Sequence, residues 1–295
     1  VIQKNEDLLN VKVKSNYNMI RFLFTCIIAG FSVCCGHTQI SDNDTDKKPL
    51  FGISLHSGLF LINGDIDGAG QGAGIRIQFP ANTIFSVRAN AYFASGKGVG
   101  VQAYQHSSFD GGLVESVFEP YRNVKDGWYP SYQYQQVVVE MEGLLNVLKL
   151  INKIYDMEFE YMDLYILGSL GLFGKQTRLD MVDSQNLPYT NLLSKVGSGL
   201  DIATSKGRNQ IRKNVRSVYD GDYETEIQYP GNITYSFGGG FAFNLNKSIS
   251  VGFEHKSIFY PDVDYIDGLR FRTSLDQSLS KDKASYTNLF LMIKI

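Results

Sequence analysis

The stretch that most restricts the fold is Asn232 to Tyr260, NITYSFGGGFAFNLNKSISVGFEHKSIFY. Ile233, Tyr235, Phe237, Phe241, Phe243 and Leu245 alternate with Thr234, Ser236, Gly238, Gly240, Ala242 and Asn244. After an Asn246-Lys247 turn, Ile249, Val251 and Phe253 alternate with Ser250, Gly252 and Glu254. Strand side chains point to opposite faces with a period of two, so each strand has one apolar face and one small or polar face. A soluble sandwich shares the bare alternation. Here, however, large aromatics fill one face while glycines and charges fill the other, which suits a barrel with lipid outside and a narrow polar lumen inside.

The same pattern recurs along the chain. Phe51, Ile53, Leu55, Leu59 and Leu61 share a face in a first strand, Leu50 to Ile62. A turn from Asn63 to Gly68 follows, and the first connection runs from Gly64 to Gly72. The second strand is Gly74 to Phe79, with Ile75, Ile77 and Phe79 against Arg76 and Gln78. The third is Ile84 to Ala94, where Phe85, Val87, Ala89, Ala91 and Phe93 oppose Ser86, Arg88, Asn90 and Tyr92. Tyr132 to Leu145 has Val137, Val139 and Met141 opposite Glu140 and Glu142, and Tyr161 to Lys175 follows it. Ser285 to Ile295 closes a series of about eight strands. The expected fold is therefore all-β, a closed antiparallel up-and-down transmembrane barrel. Long connections follow the third, fifth and seventh strands and short ones the second and sixth, as expected of external loops and periplasmic turns. The two longest, Ser95 to Ser131 and Arg178 to Gly231, carry no predicted element.

Composition agrees. Phe and Tyr supply 19 and 18 residues against one Trp, and Gly 29, as girdles and tight turns require. With 28 basic and 30 acidic residues, no global charge points to nucleic acid. The one continuously apolar stretch is Phe22 to Cys35, which excludes a bundle of membrane helices. Preceded by Arg21, it has the pattern of a signal peptide spanning 19–36, with 1–18 an upstream lead, 37–49 a polar spacer and 50–295 the barrel. A buried helix is the plainer reading of that stretch. All three cysteines (Cys26, Cys34, Cys35) lie in it. Cleavage would leave the mature chain without thiol chemistry, whereas lipidation at Cys34 or Cys35 would follow only a poor lipobox.

Short segments resemble the barrel of Bacteroidota-type OmpA-family proteins: Phe85-Ser-Val-Arg88 with Ala94-Ser-Gly-Lys-Gly98, Leu164-Tyr-Ile-Leu-Gly-Ser-Leu-Gly171, and Asp264-Tyr-Ile-Asp-Gly-Leu-Arg-Phe271 followed by Ser280-Lys-Asp282 and the terminal strand. The resemblance implies a non-enzymatic outer-membrane barrel of Gram-negative envelopes with a structural or assembly role. The likeness is to the barrel portion only, without the C-terminal peptidoglycan-binding domain typical of that family, so cell-wall tethering is not carried over with it. Small barrels of the type IX secretion apparatus share a similar Asp-Tyr-x-Asp loop, so a subunit of a secretion or surface-protein assembly is the alternative. Expected partners are outer-membrane lipid, lipopolysaccharide and envelope proteins, with no nucleic acid.

Three groups are candidate sites. Arg88, Glu140, Glu142, Glu254 and Lys256 fall on inward faces; an eight-stranded barrel has room only for such side chains, so a paired plug is expected and a gated narrow pore is its competitor. His255 and Ser257 lie two apart on one face, and a similar His-x-Ser pair serves an eight-stranded lipid A deacylase. Catalysis would need an acid from Glu254, which points the wrong way, or from Asp262 or Asp264; otherwise the two are an interfacial polar pair. Lys206, Arg208, Arg212, Lys213 and Arg216 form a basic block suited to lipopolysaccharide phosphates or acidic glycans, or simply a solvated loop neutralised by Asp220, Asp222, Glu224 and Glu226. Asp65-x-Asp67-Gly68 lacks the other ligands of a calcium loop, and His37, His56, His106 and His255 are scattered, so neither metal nor cofactor is expected.

Overall fold

The computed structural model describes residues 51–64, 66–103, 119–121, 124, 127–155, 161–196, 199–260 and 282–295. The expected leader and spacer therefore lie outside it, as does the segment 261–281. Eight antiparallel strands close into a barrel in chain order: β1 (Gly52–Asn63), β2 (Gly68–Pro80), β3 (Phe85–Val99), β4 (Ser131–Asn146), β5 (Met162–Leu179), β6 (Thr225–Asn244), β7 (Ile249–Phe259) and β8 (Lys283–Lys294). β1 pairs with both β2 and β8, from Gly52↔Lys294 to Asn63↔Lys283 on the closing side. Closure leaves the sheet no edge, which a barrel in lipid requires because nothing there could satisfy one.

Short turns at one rim are locked by asparagine. Asn82 Oδ1 accepts from the amides of Ile84 and Phe85 at 2.8 Å each, and Asn246 Oδ1 accepts from Ser248 and Ile249 at the same distance. Such side-chain-to-backbone turns reverse the chain within a few residues. At this rim the β4–β5 link contains a helix, α1 (Val147–Tyr155), which Asn146 caps by accepting from Lys149 N.

Several strands run further than the alternation suggested. β2 begins at Gly68, not Gly74; β3 continues to Val99; β5 reaches Leu179; and β6 begins at Thr225, not Asn232. The first connection shrinks to 64–67 and the connection read as 178–231 to 180–224. β5 and β6 are 18 and 20 residues long, whereas about 9–11 residues cross a bilayer. Their outer parts stand in water, where a strand needs no greasy face and so loses the signal that marks it in lipid. The glycines read as a turn pair instead: Gly68 faces Gly98, and Gly98 faces Tyr132. A Cβ on Gly98 would come within 2.1 Å of the Tyr132 ring. The glycine thus lets that ring lie flat across the strands and donate its hydroxyl to Ile66 O at 3.0 Å.

The connection 180–224 is structured, contrary to expectation. It holds α2 (Leu192–Val196) and α3 (Ser205–Val218). Thr204 caps α3 by accepting from Gly207 N, and Gly207, Ile211 and Val215, spaced by four, form its buried face.

Candidate functional site

The lumen is filled in layers. At the floor Leu144, Leu167, Ala242, Phe290 and Met292 pack together. Above them lie three cations, Arg76, Arg88 and Lys256, and three carboxylates, Glu140, Glu142 and Glu254, all buried. Glu254 accepts from Arg76 Nη2 at 2.7 Å, from Arg88 Nη2 at 2.6 Å and from the Tyr165 hydroxyl at 2.9 Å. Glu142 is paired with Arg88 Nε, and Lys256 Nζ sits between Glu140 and Glu142, the latter at 3.3 Å. Asn90 donates to both of these glutamates, at 2.7 and 3.1 Å, while its carbonyl meets His56 Nε2 at 3.0 Å. Ser169 donates to Glu140 at 2.8 Å, and Asn288 accepts from Arg76 at 3.1 Å. Buried charge is tolerable only when paired and hydrogen-bonded in this way.

An aromatic layer lies above. Tyr92 stacks on Tyr286 with centroids 5.1 Å apart, Phe60 packs against Tyr134 and Tyr286, and Lys256 Nζ lies 4.7 Å over the Tyr92 ring. His56 Nδ1 meets the Tyr286 hydroxyl at 2.9 Å, tying this layer to the ionic one.

Described residues of two outer connections, among them Tyr121, Trp128, Leu192, Ile211 and Tyr219, pack onto the upper barrel side chains as a cap. Tyr189 and Tyr219 stack face to face at 4.2 Å, and the Tyr219 hydroxyl donates to Tyr129 O at 2.7 Å. Tyr121 donates to Met181 O at 2.8 Å. Trp128, the only tryptophan of the sequence, is fully buried and donates from Nε1 to Asp180 O at 3.0 Å. Arg212 of α3 reaches back to Val99 O at 3.4 Å and Asp67 at 3.5 Å, so the helix bridges the ends of β3 and the first loop.

Within the cap the carboxylates of Asp180, Asp220 and Glu224 come within 4.8 Å of one another. The Tyr189 hydroxyl lies between two of them, 2.8 Å from Asp180 and 3.0 Å from Asp220. One hydroxyl proton cannot serve both acceptors at once. Burial, together with the negative charges of Glu224 and Asp220, pushes the Asp180 carboxyl up to about 7. The oxygens of Asp180 are already held by Tyr189 and by Gly221 N at 3.2 Å, and Glu224 accepts from Met181 N, so the group reads as a joint of the cap.

Outside, the faces invert. Leu55, Phe93, Val137, Leu170, Phe237 and Leu289 are exposed, and cross-strand aromatic pairs such as Tyr235–Phe259 and Phe241–Phe253 stack on the surface at 5.2 and 5.7 Å. Along β3 the outward side chains run from Phe85 through Phe93 and then change to Ser95 and Lys97. A continuous apolar band on a closed sheet whose inside is ionic has only acyl chains to face. The chain is a transmembrane β-barrel of the outer-membrane type. Among the described residues no helix is long and apolar enough to cross a membrane.

No family model and no curated protein matches the sequence. Solved structures similar to the barrel include Neisserial surface protein A, at 6% identity over 83% of this chain and 97% of that one with a TM-score of 0.42. The attachment invasion locus protein Ail of Yersinia pestis has 9% identity over 84% and 100%, with a TM-score of 0.39. A major outer membrane protein from Thermus thermophilus has 11% identity over 83% and 99%, with a TM-score of 0.40. At such values the likeness carries no functional argument; the closed sheet and its band do.

The five residues assigned to the lumen by strand parity meet in one network. Arg76, His56, Asn90 and Tyr165 belong to it as well, beyond the five expected. Arg76 carried the right signal, an inward position opposite Ile75 and Ile77. His255 is exposed and meets Thr287 Oγ1 at 2.7 Å, not a carboxylate; Glu254 is held inside by its two arginines. Ser257 lies between Phe237 and Ser285 on the outer face. Asp262 and Asp264 fall outside the described residues, as does the Asp264–Asp267 segment behind the secretion-subunit alternative. The basic block is a helix where a loop was expected. Two of the acids expected to neutralise it, Asp220 and Glu224, gather instead around Asp180, and Glu226 pairs with Arg178 at 3.3 Å.

Proposed function

We propose that the chain is a non-enzymatic component of a Gram-negative outer membrane: a sealed barrel, surrounded by outer-membrane lipid, that holds a folded cap at the cell surface in a structural or assembly role. The short motifs of β3 and β5 support reading it as the barrel part of an OmpA-type protein. One observation carries the proposal. Three cations and three carboxylates span the lumen in mutual contact between an apolar floor and an aromatic layer. Eight strands enclose just enough space for such side chains, and parting the pairs to let ions through would expose buried charge at a cost of several kcal/mol (order of magnitude). A gated pore would need a second arrangement of the same pairs. Single-channel recording after reconstitution into planar bilayers tests this. The expected trace is silent at moderate voltage; a large, steady conductance would sink the sealed-barrel reading.

A further inference from the structure

We infer that the outer face of α3 is a binding surface for acidic polysaccharide outside the cell. The helix carries Lys206, Arg208, Arg212, Lys213 and Arg216 and not one acidic residue. Lys206, Lys213 and Arg216 share the side opposite the buried Gly207, Ile211 and Val215, while Arg208, which donates to Ile202 O and Ala203 O, and Arg212 stand on its flank. Lys206, Lys213 and Arg216 are exposed, and among the described residues none of the three meets a carboxylate. Helix stability does not account for this pattern. Like charges four apart repel, and the first turn, where the helix dipole favours anions, holds Lys206 and Arg208 instead.

The helix is nevertheless rigidly placed. Its apolar face is buried, Thr204 caps it, Asn214 donates to Val196 O at 2.6 Å, and Arg212 reaches the end of β3. The cations are therefore presented in a fixed row spanning about 15 Å along the axis. Spread over that length, they would give a small anion one or two contacts, whereas an acidic polymer would engage the whole row. The helix itself carries no aromatic residue to stack bases, which disfavours nucleic acid. Val99, which Arg212 touches, lies six residues beyond Phe93, the last outward aromatic of β3, so the row stands beyond the apolar band. This inference does not depend on whether the lumen conducts.

The test uses the full chain refolded in zwitterionic micelles, with heparin as the probe. Binding is expected to weaken steeply with sodium chloride, and Lys206→Gln/Lys213→Gln/Arg216→Gln to lower the slope of log affinity against log salt by roughly three. Lys153→Gln/Lys247→Gln on the opposite rim should leave the slope unchanged, and heat-modifiable gel mobility verifies that each variant is folded. Equal weakening by the two sets of substitutions would reduce the effect to net charge and overturn the assignment. So would polyuridylic acid binding as tightly as heparin, or retention only by vesicles containing lipopolysaccharide.

Discussion

The lumen and α3 each gather several charges, and they treat charge in opposite ways. Inside, Arg76, Arg88 and Lys256 each meet a carboxylate, every member is buried, and hydroxyls and amides occupy the remaining acceptor sites. On α3, five cations share a short helix without an acid, and the pairing found for them is the long contact from Arg212 to Asp67. A balanced, buried network contributes to holding one conformation. A row of unbalanced charges in water contributes little to folding and leaves its field directed outward. Removing charge should therefore damage the barrel in one place and its recognition in the other.

The largest effect is expected at Glu254. Glu254→Ala removes the shared acceptor of Arg76, Arg88 and Tyr165; Arg88 keeps Glu142, but Arg76 is left buried without a carboxylate. Orphaning buried partners in this way costs about 3–5 kcal/mol, which should appear as an earlier urea midpoint for the barrel in lipid vesicles. The apolar pair Arg76→Met/Glu254→Leu should recover much of that loss, since it takes away one orphan together with its acceptor. A single substitution that moves stability by less than about 1 kcal/mol, the net worth of an ordinary hydrogen bond, would mean that the pairs are individually weak and the contrast with α3 false.

A smaller effect, dependent on pH, is expected in the cap. The Asp180 carboxyl sits at about 7 in the folded chain, against about 3.9 when exposed. Between these values the folded state holds a proton that the unfolded state has released. Cap stability is therefore full below about pH 4, falls as pH rises toward about 7, and is level above it. Trp128 reports this directly, because its indole donates to the carbonyl of Asp180 itself. Its fluorescence should shift toward that of exposed indole at lower denaturant as pH rises through the window. Asp180→Asn should flatten the profile. A cap that grows firmer toward alkaline pH would contradict the placement of that proton among Tyr189, Asp220 and Glu224.

Much of the barrel was legible because lipid enforces a strict period of two: the sides of Arg88, Glu140, Glu142, Glu254 and Lys256 follow from parity alone. Their pairing does not. Arg76 meets Glu254 across 178 residues and Asn288 across 212, contacts fixed by how the sheet closes, and closure leaves no local trace. Nor did the outer parts of β2, β5 and β6 show, since strands in water carry no apolar face. In α3 the local signal is Thr204 with Gly207, Ile211 and Val215, a cap followed by a stripe spaced at four, set among the basic residues. The cap aromatics are different: Tyr121, Trp128, Tyr189 and Tyr219 come from two separate connections, and nothing local says that they meet.

The smallest expected effect sharpens the comparison most. Lys206→Gln/Lys213→Gln/Arg216→Gln removes three charges, half as many as the whole lumen network contains, yet the urea midpoint should stay within about 0.5 kcal/mol of the parent, as for ordinary surface changes. If it moves, it should move upward, because Arg216→Gln relieves the repulsion from Arg212 by about 0.2–0.5 kcal/mol and Lys206→Gln removes a cation from the positive end of the helix dipole. Measured on the same preparation used for heparin binding, an unchanged midpoint with a lost salt dependence would separate recognition from folding within one helix. A loss of stability above about 1 kcal/mol would instead make these cations part of the cap's own structure, and α3 would then resemble the lumen it covers.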